Sequence, residues 1–127
     1  MPADYKIDKT RRIVFSVLSG ILTNDDIIGH QQRLACDPDF GPGFSQLVDA
    51  RGVSDMKITR HGIQSITSAN LYGRGSRRAI VATDPAIYGM ARMFEMMRNG
   101  EEEIEVFGDA NRARDWLGLE PENVAEK

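Results

Sequence analysis

The stretch Arg78-Ala79-Ile80-Val81-Ala82-Thr83-Asp84-Pro85-Ala86-Ile87 decides the fold class. Its first half is a short apolar run with β-branched residues, which reads as a strand. Asp84 can accept from free backbone amides as a helix cap, and Pro85 suits the first helical position because no donor is needed there. A strand feeding directly into a helix is half of a parallel crossover unit. The unit recurs downstream, where Ile104-Glu105-Val106-Phe107 precedes Asp109, a cap for a last helix through Ala110, Ala113, Trp116 and Leu117. Gly118 can end that helix.

Upstream the alternation continues. Gln46-Leu47-Val48-Asp49-Ala50 reads as a short buried strand ended by Gly52, and a helix over 59–72 follows, with Ile63, Ile66 and Ala69 inward and Gly73 and Gly75 as breakers. Ile13-Val14-Phe15-Ser16-Val17-Leu18 is a further strand. After Gly20, the capping pattern Thr23-Asn24-Asp25-Asp26 opens a helix whose inner face would use Ile27, Ile28, Leu34 and Ala35, until Asp37-Pro38 stops it. Residues 40–44 form a Gly/Pro-rich connector. Tyr5 and Ile7 mark a short first strand, close enough to the second for a hairpin. The order is β-β-α-β-α-β-α-β-α. Right-handed crossovers then predict an α/β fold: a mixed, mostly parallel sheet of about five strands with an N-terminal hairpin, packed by four helices. Residues 1–118 read as a single domain and 119–127 as a polar, frayed C-terminal tail.

The 127 residues, 41% hydrophobic and 28% charged, suit one globular domain and argue against extended disorder. No apolar run approaches the ~20 residues of a transmembrane segment. The first twelve residues lack the apolar core of a secretory signal. Cys36 is the single cysteine, so no intrachain disulfide can form, and a cytoplasmic location is expected.

The net charge of −3 conceals a polarised sequence. Between Asp55 and Asp84 no acid occurs, while Lys57, Arg60, Arg74, Arg77 and Arg78 do. From Glu101 onward nine acids face only Arg112, Arg114 and Lys127. Such asymmetry either steers a charged partner or places separated charges on solvated faces. With an isoelectric point near 5.4 and no aromatic-rich basic stripe, nucleic acid is not the expected partner.

Leu22-Thr23, Asp37-Pro38-Asp39-Phe40, Leu47-Val48-Asp49-Ala50-Arg51-Gly52-Val53, Ala79-Ile80-Val81-Ala82, Gly89-Met90-Ala91-Arg92-Met93-Phe94 and Ala113-Arg114-Asp115-Trp116-Leu117 follow one another in an order and spacing that resembles the small bacterial SpoIIAA-like proteins of the STAS superfamily. The resemblance covers residues 4 to 118. It implies a β-α superhelical fold, similar also to the lipid-binding CRAL-TRIO domain, and does not imply an enzyme. Antagonists of this type carry a phosphorylatable Asp-Ser-Ser-Gly before one helix. With that glycine on Gly62, Thr59, Arg60 and His61 stand over Asp-Ser-Ser, so the position matching the phosphosite is Arg60, which cannot be phosphorylated. Its neighbour Thr59 reads as a helix cap.

Catalytic signals are weak. His30 and His61 are isolated, no cysteine pair or ordered carboxylate cluster suggests a metal, and no serine sits in a nucleophile elbow. Gly73-x-Gly75 is not followed by the rest of a dinucleotide fingerprint, so no cofactor is expected. Cys36 reads as a small buried residue.

Two candidate binding regions remain. Asp49, Arg51, Thr83, Asp84 and Asp109 lie at carboxyl ends of predicted strands, where open α/β sheets gather ligands. An anionic ligand held by Arg51 and the amides after Asp84 and Asp109 is one reading; simple caps are the other. The second region is the helix over 86–99. There Ile87, Met90, Ala91, Phe94 and Met97 would face the sheet and leave Tyr88, Met93 and Met96 on the flanks. Four methionines in eight residues make an adaptable apolar surface. The leading expectation is a non-enzymatic STAS-like interaction module, regulatory, with a protein partner or a weak homodimer through Tyr88, Met93 and Met96. The alternative is a protein that binds a small apolar molecule or lipid in a pocket beneath the Met-rich helix. A closed apolar cavity would favour the alternative.

Overall fold

A computed structural model describes residues 2–122. Five strands, β1 (Ala3–Asp8), β2 (Ile13–Thr23), β3 (Ser45–Lys57), β4 (Arg77–Val81) and β5 (Glu103–Phe107), form one sheet in the order β1-β2-β3-β4-β5. β1 and β2 pair antiparallel as a hairpin, and every later pair is parallel. Four helices complete the fold: α1 (Asn24–Ala35), α2 (Arg60–Ser68), α3 (Pro85–Met97) and α4 (Ala110–Trp116).

The strand order dictates the layering. From β2 to β5 the chain always steps in the same direction across the sheet, so right-handed crossovers place α1, α2 and α3 on one face. α4 follows the edge strand and turns onto the other. Strand periodicity separates the two faces cleanly. Ile13, Leu47, Ala79 and Val81 pack with Ala113 of α4, while Phe107 and Trp116 meet with ring centres 5.7 Å apart. Their neighbours of opposite parity face α1–α3: Val14 packs with Leu34 and Tyr72, and Ile80 with Ile63, Ile66 and Phe94. Leu22 and Leu34 are almost completely buried, and each such side chain contributes about 1.5–3 kcal/mol by leaving water.

The local reasons for each helix start are in the sequence. Thr23 and Asp26 form a reciprocal capping box on α1. Asp84 Oδ2 accepts from the amides of Ala86 and Ile87 at the start of α3, and Asp109 Oδ1 accepts from those of Asn111 and Arg112 at the start of α4. Gly118 adopts φ +78 just past α4, the left-handed conformation that glycine enters without steric cost.

Several element readings need correction. β2 and β3 run on to Thr23 and Lys57, well past Leu18 and Ala50, because they pair with each other along their whole length. Gly20, at φ +68, permits the register shift that keeps the extension paired rather than ending it. α2 stops at Ser68, not at Tyr72. Thr67 Oγ1 donates to the Ile63 carbonyl at 2.8 Å and Ser68 Oγ to that of Ser65 at 3.0 Å, and the chain then becomes extended at Ala69. That exit carries Tyr72 onto the sheet. In α1 the buried positions are His30 and Leu34, with Ile27 and Gln31 on the same face; Ala35 falls one step off that stripe and is exposed. Cys36, two residues beyond Leu34, lies on the opposite side and is exposed.

The tail does not fray at once. Leu119 packs against the α4 face, and the Glu122 amide donates to Asn111 Oδ1 at 2.8 Å. Residues 123–127, the remainder of the expected tail, lie outside the described residues.

Candidate functional site: an apolar cavity with one polar wall

Between the sheet and the three helices on its first face lies a cavity of about 110 Å³. The sheet supplies Leu18 and Leu22 from β2, Val48, Ala50, Val53 and Met56 from β3, and Ile80 from β4. Ile27 and Leu34 of α1, Ile63 and Ile66 of α2, and Ile87, Met90, Ala91 and Phe94 of α3 close it from the other side. Short side chains, Ser16 and Ala50 on the sheet and Ala91 on α3, leave the space that larger ones would fill.

Most of the polar lining forms one ordered chain on the sheet side, and Gln31 of α1 stands apart, donating to the Ile66 carbonyl at 3.1 Å. Arg78 Nε donates to Gln46 Oε1 at 3.0 Å, and Gln46 Nε2 donates to Ser16 Oγ at 3.0 Å. Ser16 Oγ lies 3.0 Å from His30 Nε2. The assignment that gives the Ser16 proton an acceptor makes His30 Nε2 that acceptor. On its other side Arg78 Nη1 donates to Glu102 Oε2 at 2.8 Å. The same carboxylate is held in two-pronged fashion by Arg98, from Nε at 2.9 Å and Nη2 at 3.0 Å, while Arg98 Nη1 donates to the Thr67 carbonyl. All three charged side chains are nearly inaccessible: Arg78 is 11% exposed, Arg98 5% and Glu102 0%. The Arg78 guanidinium also lies 4.4 Å from the Tyr72 ring centre and 5.4 Å from that of Phe94.

One group is left out. The Tyr72 hydroxyl is buried in the cavity lining and has no hydrogen-bond partner among the described residues. A buried hydroxyl left without an acceptor costs about 1–3 kcal/mol, a cost that water or a ligand at the cavity wall removes. Burial holds this phenol well above its ordinary pKa, against the opposing charge of Arg78. Burial also lowers the pKa of His30 to about 4, helped by the charges of Arg33 and Arg78, so the imidazole is neutral at pH 7. For Glu102 burial acts upward, yet the hydrogen bonds from Arg98 and Arg78 outweigh it and keep the carboxyl below its usual range.

The residues singled out from sequence do not converge on one site. Arg51 is committed: its guanidinium donates to both carboxylate oxygens of Asp49, at 2.9 Å each, and to both of Glu122, at 3.0 Å each. These bonds hold the Asp49 and Glu122 carboxyls below their usual range. With the amides after Asp84 and Asp109 taken by their own caps, the strand ends present no open anion site of the kind expected. Thr83 is exposed between β4 and α3. Tyr88 is half-buried against the cluster of Leu22, Ala50 and Val53, not free on a flank. Met93 and Met96 are exposed, as is Met97, which was expected to face the sheet. Arg98, four residues after Phe94, takes the inward position instead. At the start of α2, Thr59 Oγ1 accepts from the Gly62 amide at 3.0 Å and from Asn24 Nδ2 at 2.9 Å, which makes Thr59 the helix cap and leaves Arg60 exposed beside it.

Sequence reasoning missed the polar wall. Its signal was a polar residue at an inward position of three adjacent strands: Ser16, Gln46 and Arg78. Gln46 and Arg78 are direct register partners across β3 and β4, and Val14, two residues before Ser16, pairs with Gln46 across β2 and β3. Among the described residues no group of three or more His, Cys, Asp or Glu could hold a metal ion, and no helix is long and apolar enough to cross a membrane.

The fold is matched by an uncharacterised protein of the DUF3478 family from Shewanella loihica PV-4, whose crystal structure has a SpoIIAA-like fold. The match covers 91% of each chain with a TM-score of 0.58, at 18% sequence identity. This fold is SpoIIAA-like. No protein-family model and no curated protein matches the chain. At that level of identity the likeness concerns the SpoIIAA-like architecture alone, five strands with the α1–α3 layer on one face, and the polar wall must be judged on its own chemistry.

Proposed function

We propose that the chain is a non-enzymatic module that binds a small, mainly apolar molecule in the cavity beneath α3. The observation that carries this reading is an apolar cavity whose wall holds a buried hydroxyl without a partner. Both features cost stability in an empty protein: a void forfeits packing contacts, and an unsatisfied hydroxyl forfeits a hydrogen bond. A ligand recovers both. Pockets for small molecules have this composition, apolar over most of their surface with a few convergent polar groups.

The reading is tested with butan-1-ol as probe, followed by amide chemical shifts. Shifts concentrated in α3 and in β3 around Val48 and Ala50 are the expected result. Ala91→Leu places a larger side chain in the cavity and should weaken butanol binding at least tenfold while the remaining spectrum stays native. Unchanged binding in that variant, or shifts confined to other surfaces, would count against the cavity.

A second reading has its own observation. Met93, Met96 and Met97 expose apolar surface on the outer side and end of α3. This supports an interaction module with a protein partner or a second copy of the chain, the role expected first from sequence. The two readings share one helix, since α3 roofs the cavity with Ile87 and Phe94 and offers its methionines outward.

A further inference from the structure

Resting on the cavity reading, we propose that the occupant is an apolar carboxylic acid, bound as its anion, with the carboxylate received by the Arg78 guanidinium and the Tyr72 hydroxyl. Buried charge selects the class of ligand. Arg78 and Arg98 are both withdrawn from water and share the single carboxylate of Glu102. Arg98 holds that carboxylate through two hydrogen bonds and Arg78 through one. The rest of the described surroundings of Arg78 are neutral: the Gln46 amide and the faces of Tyr72 and Phe94. His30, at the far end of the Gln46–Ser16 chain, adds no compensating negative charge.

The cluster therefore carries one positive charge in excess, and the undercompensated member is the one that lines the cavity. Burying charge without a full partner is costly, and an anion is the ligand that removes the cost. Arg78 reaches Gln46 through Nε and Glu102 through Nη1, with Nη2 used in neither bond, and the Tyr72 hydroxyl is a donor in want of an acceptor. A carboxylate accepts from both, and hydrogen bonds to an ionised acceptor are stronger than those to a neutral one. A cation would be repelled. An alcohol would satisfy the tyrosine and leave the charge.

Size narrows the class further. The volume of about 110 Å³ is below the ~150 Å³ apolar cavity that admits benzene, so the anion should carry only a short or compact apolar body. Butanoate and 2-methylpropanoate are suitable probes, and butan-1-ol, 2-methylpropan-1-ol and butylamine are the matched controls.

The test is calorimetric titration of the intact chain at pH 7.5 with these five molecules, repeated on Tyr72→Phe. The wild type should bind the acids at least tenfold more tightly than the matching alcohols, and butylamine least of all. Tyr72→Phe should lose tenfold or more in acid affinity and a smaller factor for the alcohols. Because the substitution deletes a buried hydroxyl without a partner, the ligand-free variant should melt at the same temperature as the wild type or higher. Weaker acid binding by a protein that is no less stable separates a ligand-receiving group from a merely structural one. Equal affinity for acids and alcohols, or unchanged acid affinity in Tyr72→Phe, would overturn the carboxylate assignment and leave the cavity reading standing. Absence of binding by acids and alcohols alike would overturn both. Arg78→Lys gives a second check: it keeps the charge but loses the planar fork, and acid preference should fall but persist.

Discussion

His30 couples the polar wall to pH. In the unfolded chain its imidazole titrates near 6.5, whereas in the folded protein burial and the neighbouring arginines bring the value to about 4. Above pH 6.5 both states are neutral at this site. Between those two values the unfolded chain binds a proton that the folded one refuses, so stability falls as the pH drops, and the loss levels off below about 4. The shift corresponds to about 2 kcal/mol lost between pH 7.5 and pH 5, a range in which most carboxylates stay ionised. Urea denaturation at the two pH values should show that loss, and His30→Gln should remove most of it. At this scale the sequence was legible wherever chemistry is local. Thr23 with Asp26, Thr59, Asp84 and Asp109 cap the helices they precede, because a cap needs only residues within three positions of it. Ser16, Gln46 and Arg78 were not legible as a unit, since their adjacency exists only once three strands are in register. Tyr72 was assigned to a helix, which hid its hydroxyl altogether.

Among the elements, α3 carries most of the functional argument. The spacing of Ile87, Ala91 and Phe94 identified its inner face, and the same periodicity places Met93 and Met96 outward. The helix ends at Met97, so the next inward step falls on Arg98, which hydrophobic patterning could not anticipate. Met96 is 73% exposed and Met93 40%. Replacing both by glutamate should therefore leave folding intact, with each surface change worth within about 0.5 kcal/mol. If α3 mediates weak self-association, sedimentation of the wild type at high micromolar concentration should show concentration-dependent growth in mass that Met93→Glu/Met96→Glu abolishes. A wild type that stays monomeric there removes the dimer, and an unfolded double variant would assign the methionines to the core. β2 and β3 show the complementary failure of sequence reading. Gly20 and Gly52 look like terminators, yet both lie within long paired strands, because glycine in a strand can mark a bulge or a close approach as well as an end. A Cβ at Gly52 would come within 3.3 Å of Ser19 Cβ on the neighbouring strand.

For the whole molecule, the strand-helix alternation settled the fold because monotonic right-handed crossovers leave few arrangements, and the chain adopts the expected hairpin-plus-parallel sheet. The charge pattern led elsewhere. The basic tract and the acidic tract do not form opposing surface fields in this region; they meet across β4 and β5. Arg74 pairs with Glu101, Arg77 with its register partner Glu103, and Arg78 with Glu102. The outer pairs are exposed and contribute little, about 0–1 kcal/mol each, whereas the inner one is buried and joined to a second arginine. What a linear reading sees as two tails of opposite sign becomes, in three dimensions, one buried cationic cluster at the edge of an apolar cavity. A cavity built to be filled should travel with its occupant. Native mass spectrometry of the intact chain, purified without organic solvent or detergent, tests it most directly. The expected spectrum holds a population heavier than the bare chain by the mass of one small acid, lost on Ala91→Leu. A bare chain that also takes up neither butanoate nor 2-methylpropanoate when these are added in excess would rule an occupant out.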